Sequence, residues 1–272
     1  MPIASVDFDF VRRTVFDTAG IVIEPGKEYL VESRLLGLAR KLGLASLEVL
    51  LERMKRDDGS LRRDVIEAMT TNETTFFRDG APFDLLRTEV IPRLIAARAA
   101  TRELSIWCAA SSTGQEPYSL AMLLAEHFPS LGDWRVRILA TDLSRDVLAR
   151  AQAGCYTQLE VNRGLPITYL VKYFEKHGAE WRLVPRIRER VQFQQMNLVQ
   201  AWPMMQAFDI VFIRNVMIYF DVAAKKSILE RIGRLLPRDG YLFLGAAETT
   251  MNLDDRFKRA PFERGGCYQL AA

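Results

Sequence analysis

Histidine, cysteine and long apolar runs are all scarce in this sequence, and each scarcity removes a class of function. His127 and His177 are the only histidines, and neither stands in a motif that offers a plausible carboxylate or cysteine partner. A multi-histidine metal site is therefore disfavoured, no metal is expected, and a histidine general base has few candidates. The three cysteines, Cys108, Cys155 and Cys267, are odd in number and far apart, and none falls in a CxxC pair, so neither a disulfide framework nor a zinc site is suggested. The longest apolar stretches, such as 210–213 and 216–219, fall far short of the roughly 20 residues of a membrane-spanning helix. The opening MPIASVDFDFVRR puts acids where a secretory signal carries bases, and it has no apolar core or cleavage site, so a cytoplasmic location is expected. A net charge of +3 is too small to argue for nucleic acid as a partner.

What is present divides in two. Residues 1–69 read as helical: over 27–42, Tyr29, Leu30, Leu35, Leu38 and Leu42 recur at roughly helical intervals, and Gly43 ends that element. Ser46 is a candidate N-cap for a helix over 47–56 whose apolar stripe is Leu47, Leu50, Leu51 and Met54, closed by Asp57, Asp58 and Gly59. A further helix is expected over 61–69. From about residue 103 the texture changes to apolar runs at 104–108, 136–141, 191–195, 209–213 and 241–244, alternating with helical stretches at 117–126, 145–153 and 223–236. That alternation predicts an α/β domain with a largely parallel sheet covered on both faces. The polar and aromatic stretch at 70–78 fits neither pattern and reads as the start of a linker, 70–88, with a task of its own. Residues 178–190, with Trp181 and Pro185, are expected to form short antiparallel strands inserted in the second domain, which spans 89–272.

The run at 104–108 ends in small residues, Ala109 to Gly114, and then a helix opened by Pro117. Such a turn lets a ligand approach the backbone closely, although it is also compatible with plain topology. The spaced glycines of a dinucleotide fingerprint are missing, so a cofactor without phosphates fits better. Asp142, at the tip of the next run, stands where ribose hydroxyls are commonly held; an N-cap role for the helix opening near Ser144 is the simpler alternative.

Several motifs, in order along nearly the whole chain, carry a resemblance: TTNETTFFRD at 70–79, WCAASSTGQEPYS at 107–119, ATDLS at 140–144, MNL at 196–198, RNVMIYFD at 214–221 and GYLFLG at 240–245. Together they resemble the chemotaxis receptor methyltransferases, the CheR family. The resemblance implies an all-α N-terminal domain, then a Rossmann-like S-adenosylmethionine-binding domain with a small antiparallel β insertion. It implies S-adenosyl-L-methionine as cofactor and S-adenosyl-L-homocysteine as product, with methyl-accepting receptors as partners. By motif, Asn72, Thr74, Arg78, Glu116, Asp142, Asn197, Leu198, Arg214 and Asn215 are expected around the cofactor, Glu116 near its methionine amino end and Asn197 with Leu198 near the adenine. Arg78 and Tyr219 are expected to be catalytic, with Tyr219 near the transferred methyl group. Phe76, Phe77, Val216, Met217 and Ile218 are expected to be packing residues.

The chemistry agrees with the shortage of histidine. A glutamate carboxylate, with a pKa of about 4.3, is ionised near neutrality and needs no general base to attack a sulfonium methyl. Segment 34–63 holds eight basic residues against four acids, and the resemblance makes this a basic face for acidic receptor helices, with Arg40 and Lys41 as first choices. Strand addition of a receptor peptide at 181–184 is physically reasonable. The single glycine at 178 in that region favours independence from such a peptide. The alternative reading is the same fold acting on another protein or a small carboxylate acceptor. A monomer is expected.

Overall fold

The computed structural model describes residues 3–56, 59–262 and 266–271. Four helices come first: α1 (Ser5–Ala19), α2 (Glu28–Lys41), α3 (Leu47–Arg56) and α4 (Gly59–Met69). The apolar stripes face one another, with Val11, Val15, Val31, Leu35, Leu50 and Met54 fully buried in a core of their own. The Ser46 hydroxyl accepts the Val49 N–H at 3.4 Å, as a cap for α3 should. Asp57 and Asp58, expected to close α3, lie outside the described residues. Helix α1 was not singled out from the sequence, although Phe8, Val11, Val15 and Ala19 have helical spacing. It ends at Gly20, in the left-handed region at φ +68°, where a Cβ would stand 2.5 Å from Val199 Cγ1. Only glycine lets the helical bundle come this close to the sheet. An isolated antiparallel bridge, Ile21 to Phe220, joins the two at that point.

Residues 71–75 have no regular structure, and the chain is helical again through α5 (Ala81–Leu85), a π-helical turn (Leu86–Val90) and α6 (Ile91–Ala97). The second half of the 70–88 stretch is thus helix, with Phe83 and Leu86 in the core. There follow β1 (Glu103–Ala109), α7 (Gln115–His127), β2 (Arg135–Asp142), α8 (Arg145–Ala153), β3 (Cys155–Thr157), α9 (Gln158–Asn162), α10 (Ile167–Tyr173), β4 (Phe174–His177), β5 (Glu180–Leu183), α11 (Pro185–Arg188) and β6 (Val191–Gln195). The chain ends with β7 (Ile210–Ile213), α12 (Val222–Leu235), β8 (Tyr241–Leu244), β9 (Phe257–Arg259) and β10 (Cys267–Leu270).

The main sheet has the order β6-β2-β1-β7-β8-β10-β9, parallel from β6 to β8, with β10 and β9 antiparallel. Strands β7 and β8 are buried at every residue, which explains their unbroken apolar sequences. Strand order reverses between β1 and β7, and a crevice at the carboxyl ends of these strands is where an open α/β sheet receives a ligand. The fold is therefore an all-α N-terminal domain followed by a Rossmann-like α/β domain with a small antiparallel sheet.

That small sheet differs from expectation. It has the order β3-β5-β4 and draws on residues 155–183, whereas 185–188 form helix α11 and Val191–Gln195 belongs to the main sheet. Strand β5 is central, paired on both sides, so 181–184 is not an edge able to accept an added strand; the edges are β3 and β4.

Candidate active site

The crevice is built first by the β1–α7 turn. Ala110 and Ser112 stand in the left-handed region at φ +55° and +50°, and Gly114 at +92° opens α7. The Ser112 N–H donates to Asp142 Oδ2 at 2.8 Å and the Ser144 N–H to Oδ1 at 3.0 Å, so the Asp142 carboxylate is held between the ends of β1 and β2. Burial raises its pKa above the ordinary aspartate value, opposed by these backbone N–H groups.

The other end of the cavity is charged. The Arg214 side chain, 1% exposed, donates to Glu116 at 2.9 Å, to Asp79 at 2.6 Å and to the Arg78 carbonyl at 3.1 Å. Burial raises the Glu116 pKa, while Arg214 opposes the shift. Asn215, at φ +59°, follows in a turn whose backbone N–H groups are accepted by Glu248. Among the described residues, five of the seven non-glycine residues with positive φ (Phe77, Asp79, Ala110, Ser112 and Asn215) surround this cavity or the linker, and Phe77, Ala110 and Ser112, which tolerate that region least, place backbone strain there.

The linker is fixed from below. Phe76 is fully buried, the Phe77 N–H donates to Ser119 Oγ at 2.9 Å, and Ser112 Oγ donates to the Asn72 carbonyl at 2.8 Å. Gly164, at φ +83°, packs so closely that a Cβ there would stand 2.1 Å from the Phe76 oxygen.

One cavity is lined by Asn72, Thr74, Arg78, Glu116, Asp142, Asn197, Leu198, Arg214, Asn215 and Tyr219 together. Several of these side chains have other commitments. Asn72 Nδ2 donates to Thr70 Oγ1 at 3.0 Å, and Arg78 donates to the Glu73 carbonyl at 3.0 Å. Asn197 Nδ2 donates to the Thr18 carbonyl at 2.7 Å while its Oδ1 accepts the Val199 N–H at 3.0 Å, so this side chain ties α1 to the sheet. Tyr219 sits in a short 3-10 turn (Met217–Tyr219), its carbonyl accepting the Val22 N–H at 2.9 Å; its phenol makes no hydrogen bond among the described residues and lies within electrostatic reach of Arg34. Of the expected packing residues, Met217 is buried and Val216, half-buried, packs against the core while also lining the cavity, but Ile218 is 49% exposed. Arg40 and Lys41 lie at the end of α2, away from the cavity; Arg40 is exposed, whereas Lys41 pairs with Asp146 at 2.6 Å across the domain seam. Sequence reasoning missed Asp79, Ser111 and Glu248, all set by tertiary contacts. Asp79 and Ser111 both stand in quoted motifs, Asp79 beside Arg78, whereas Glu248 had no such signal.

An adenosine with an amino-acid arm suits this donor set. Asp142 presents an acid to hydroxyls, Leu143, Met196 and Leu198 supply an apolar wall, and Glu116 with Arg214 presents both signs of charge to an amino acid. Ser111 Oγ and Arg214 Nε are buried without a hydrogen-bond partner among the described residues, a cost that polar ligand atoms would relieve. Nothing in the turn resembles a glycine-rich phosphate cradle.

The raised pKa values give a signed pH dependence. Glu116 and Asp142 bind protons more tightly folded than unfolded, so their contribution to stability is fully present below the unfolded value of about 4 and declines as pH rises through the folded values. Thermal denaturation without cofactor should therefore give a Glu116→Gln minus wild-type difference in Tm that moves in favour of Gln as pH increases through that window. A difference independent of pH would contradict the assignment.

Comparison with known proteins agrees with the geometry. The family profile described as "CheR methyltransferase, all-alpha domain" matches residues 6–70, and "CheR methyltransferase, SAM binding domain" matches residues 72–265. The chain is 44% identical to chemotaxis protein methyltransferase 1 of Pseudomonas aeruginosa, with 99% of each chain covered. It is 42% identical to chemotaxis protein methyltransferase Cher2 of Pseudomonas putida, again over 99% of each, and 38% identical to the chemotaxis protein methyltransferase of Vibrio parahaemolyticus over 98% of each. With a helical bundle, a Rossmann-like sheet and a cavity at their seam that gathers the motif residues, this chain belongs to the CheR family of S-adenosylmethionine-dependent methyltransferases.

Proposed function

We propose that the protein transfers a methyl group from S-adenosylmethionine to glutamate side-chain carboxylates of chemotaxis receptors, forming glutamyl methyl esters and releasing S-adenosylhomocysteine. One observation carries this reading: a cavity between the helical bundle and the sheet has an acid for ribose at one end, a buried Glu116–Arg214 pair at the other, and Tyr219 on its wall. The curated relatives, named as chemotaxis methyltransferases, support the receptor as acceptor. Residues 1–69 serve as the receptor-docking unit, 70–88 as the linker to the cofactor, and 89–272 as the methyltransferase unit. The reaction is placed in the cytoplasm, where receptor methylation helices are accessible; no helix among the described residues is long and apolar enough to cross a membrane.

The cofactor supplies an electrophilic methyl group on a sulfonium. Asp142 holds the ribose hydroxyls, and Glu116 and Arg214 hold the amino and carboxylate groups of the methionine arm. Leu198 and the backbone of Asn197 cover the adenine. Arg78, which acts electrostatically on Glu116, serves the cofactor end and leaves the acceptor carboxylate unclamped. A bidentate arginine on the nucleophile would stabilise the ground state. Tyr219 donates its O–H to the acceptor carboxylate, fixing its approach. Because a cation and an anion neutralise each other during transfer, alignment and exclusion of water are the main tasks of these side chains.

The test is transfer of labelled methyl to receptor-containing membranes, followed by mild alkali. Base-labile label in the receptor band is the expected result; base-stable label, or label only on a small acid, favours the alternative acceptor. Docking has its own test. Arg40→Glu should slow receptor methylation several-fold at low salt, with the effect shrinking as ionic strength rises. Lys41→Glu also breaks the pair with Asp146, so it should alter stability as well. An Arg40→Glu variant with unchanged rates at low salt would remove α2 from the docking face.

A further inference from the structure

Glu248, in the loop after β8, has no part in the chemistry above, yet its carboxylate is directed at the turn that carries Asn215. Oε2 accepts the backbone N–H groups of Asn215 at 2.8 Å and of Gly245 at 2.7 Å, and Oε1 accepts that of Val216 at 2.9 Å. Both oxygens are thus engaged by backbone whose direction is fixed. Asn215 stands at φ +59°, in the left-handed region that asparagine enters more readily than other non-glycine residues. Gly245 closes the device from the other side: a Cβ there would lie 2.7 Å from both Asn215 Nδ2 and Glu248 Oε2, and 2.8 Å from the Asn215 nitrogen. On one side of this turn is the buried Arg214; on the other, Val216 leads into the short turn that brings Tyr219 to the cavity.

We propose that Glu248, interlocked with Gly245, is the positioning residue of the catalytic turn: its two oxygens set the orientation of Asn215 and, through the same turn, of Arg214 and Tyr219. The assignment rests on the methyl-transfer reading for its turnover arm only, since its effect on the cofactor site can be measured without an acceptor.

Glu248→Gln is the discriminating variant. It preserves shape but leaves one acceptor oxygen, and it sets an amide N–H2 against a backbone N–H. Gly245→Ala perturbs the same turn from the opposite side while keeping the carboxylate. Each variant should keep the wild-type circular dichroism spectrum, weaken S-adenosylhomocysteine binding by calorimetry about tenfold or more, and lower kcat by a similar factor. KM for the receptor should stay within about twofold, because docking does not use this turn. Rescue separates positioning from charge: Glu248→Asp, which keeps two acceptor oxygens, should recover part of the affinity that Gln loses.

Folded variants with wild-type affinity and kcat would overturn the proposal, as would failure of both to fold, which would make the contact a requirement of the fold alone. If wild type methylates no receptor while Glu248→Gln still loses cofactor affinity, the acceptor assignment fails and the positioning role stands.

Discussion

Replacing Glu116 by alanine should destabilise the protein by about 3 kcal/mol and reduce S-adenosylhomocysteine binding below calorimetric detection. The argument begins with Arg214, whose side chain is 1% exposed and whose Nε already lacks a partner. Glu116 is the better shielded of its two carboxylates, at 13% exposure against 41% for Asp79. Removing it leaves a buried guanidinium balanced only by an acid that water can reach. The remaining pair to Asp79 places the cost toward the lower end of what breaking a buried ion pair usually brings. Glu116→Gln separates the two effects, because it keeps the volume and one acceptor for Arg214 while removing the charge proposed to attract the cofactor's ammonium. Its Tm should fall less than that of Ala, with affinity still reduced at least about tenfold. Wild-type affinity in Glu116→Gln would show that the methionine arm lies elsewhere. The pH dependence has the opposite sign to that of stability: affinity should rise as Glu116 ionises, starting above the ordinary glutamate range because burial raises its pKa.

Tyr219→Phe should lower kcat about 10- to 100-fold while leaving S-adenosylhomocysteine affinity within about twofold. The tyrosine backbone is fixed independently of its hydroxyl: its carbonyl accepts from Val22, and the neighbouring Phe220 pairs with Ile21. Loss of the hydroxyl therefore should not move the ring. The phenol makes no hydrogen bond among the described residues, with Arg34 within electrostatic reach, so its O–H can donate to an acceptor carboxylate at the cavity wall. A hydrogen bond to a charged group that forms as the acceptor aligns appears in kcat rather than in cofactor binding. Full turnover in Tyr219→Phe would remove the hydroxyl from the mechanism.

The sequence made some of this legible and some not, for physical reasons. Helix α3 was readable because its apolar stripe repeats at helical spacing behind Ser46; α2 was found and ended correctly at Gly43, but its buried face is Val31, Leu35, Leu38 and Ala39, with Tyr29 and Leu42 of the expected stripe exposed. The parallel strands were readable because strands buried on both faces are apolar at every position, as in β7 and β8. The small sheet was harder: Trp181 and Leu183 alternate with polar residues equally well in an edge or a central strand, and β3, more than twenty residues earlier, decides which. The site's membership came from motif resemblance, whereas its wiring did not. Asn197 looks like a ligand residue in its motif, yet its amide is held by Thr18 and Val199. Glu248 looks like any loop acid, and only the folded chain brings three backbone N–H groups to it.

The central claim is methyl ester formation on receptor glutamates at this cavity, and peptide mapping by mass spectrometry tests it most directly. Purified receptor, wild-type protein and S-adenosylmethionine should yield glutamate-containing receptor peptides heavier by one methylene, reversed by mild alkali and absent with Glu116→Ala. Unmodified receptor glutamates in the presence of a cofactor-binding wild-type protein, or modification that survives alkali, would contradict the account.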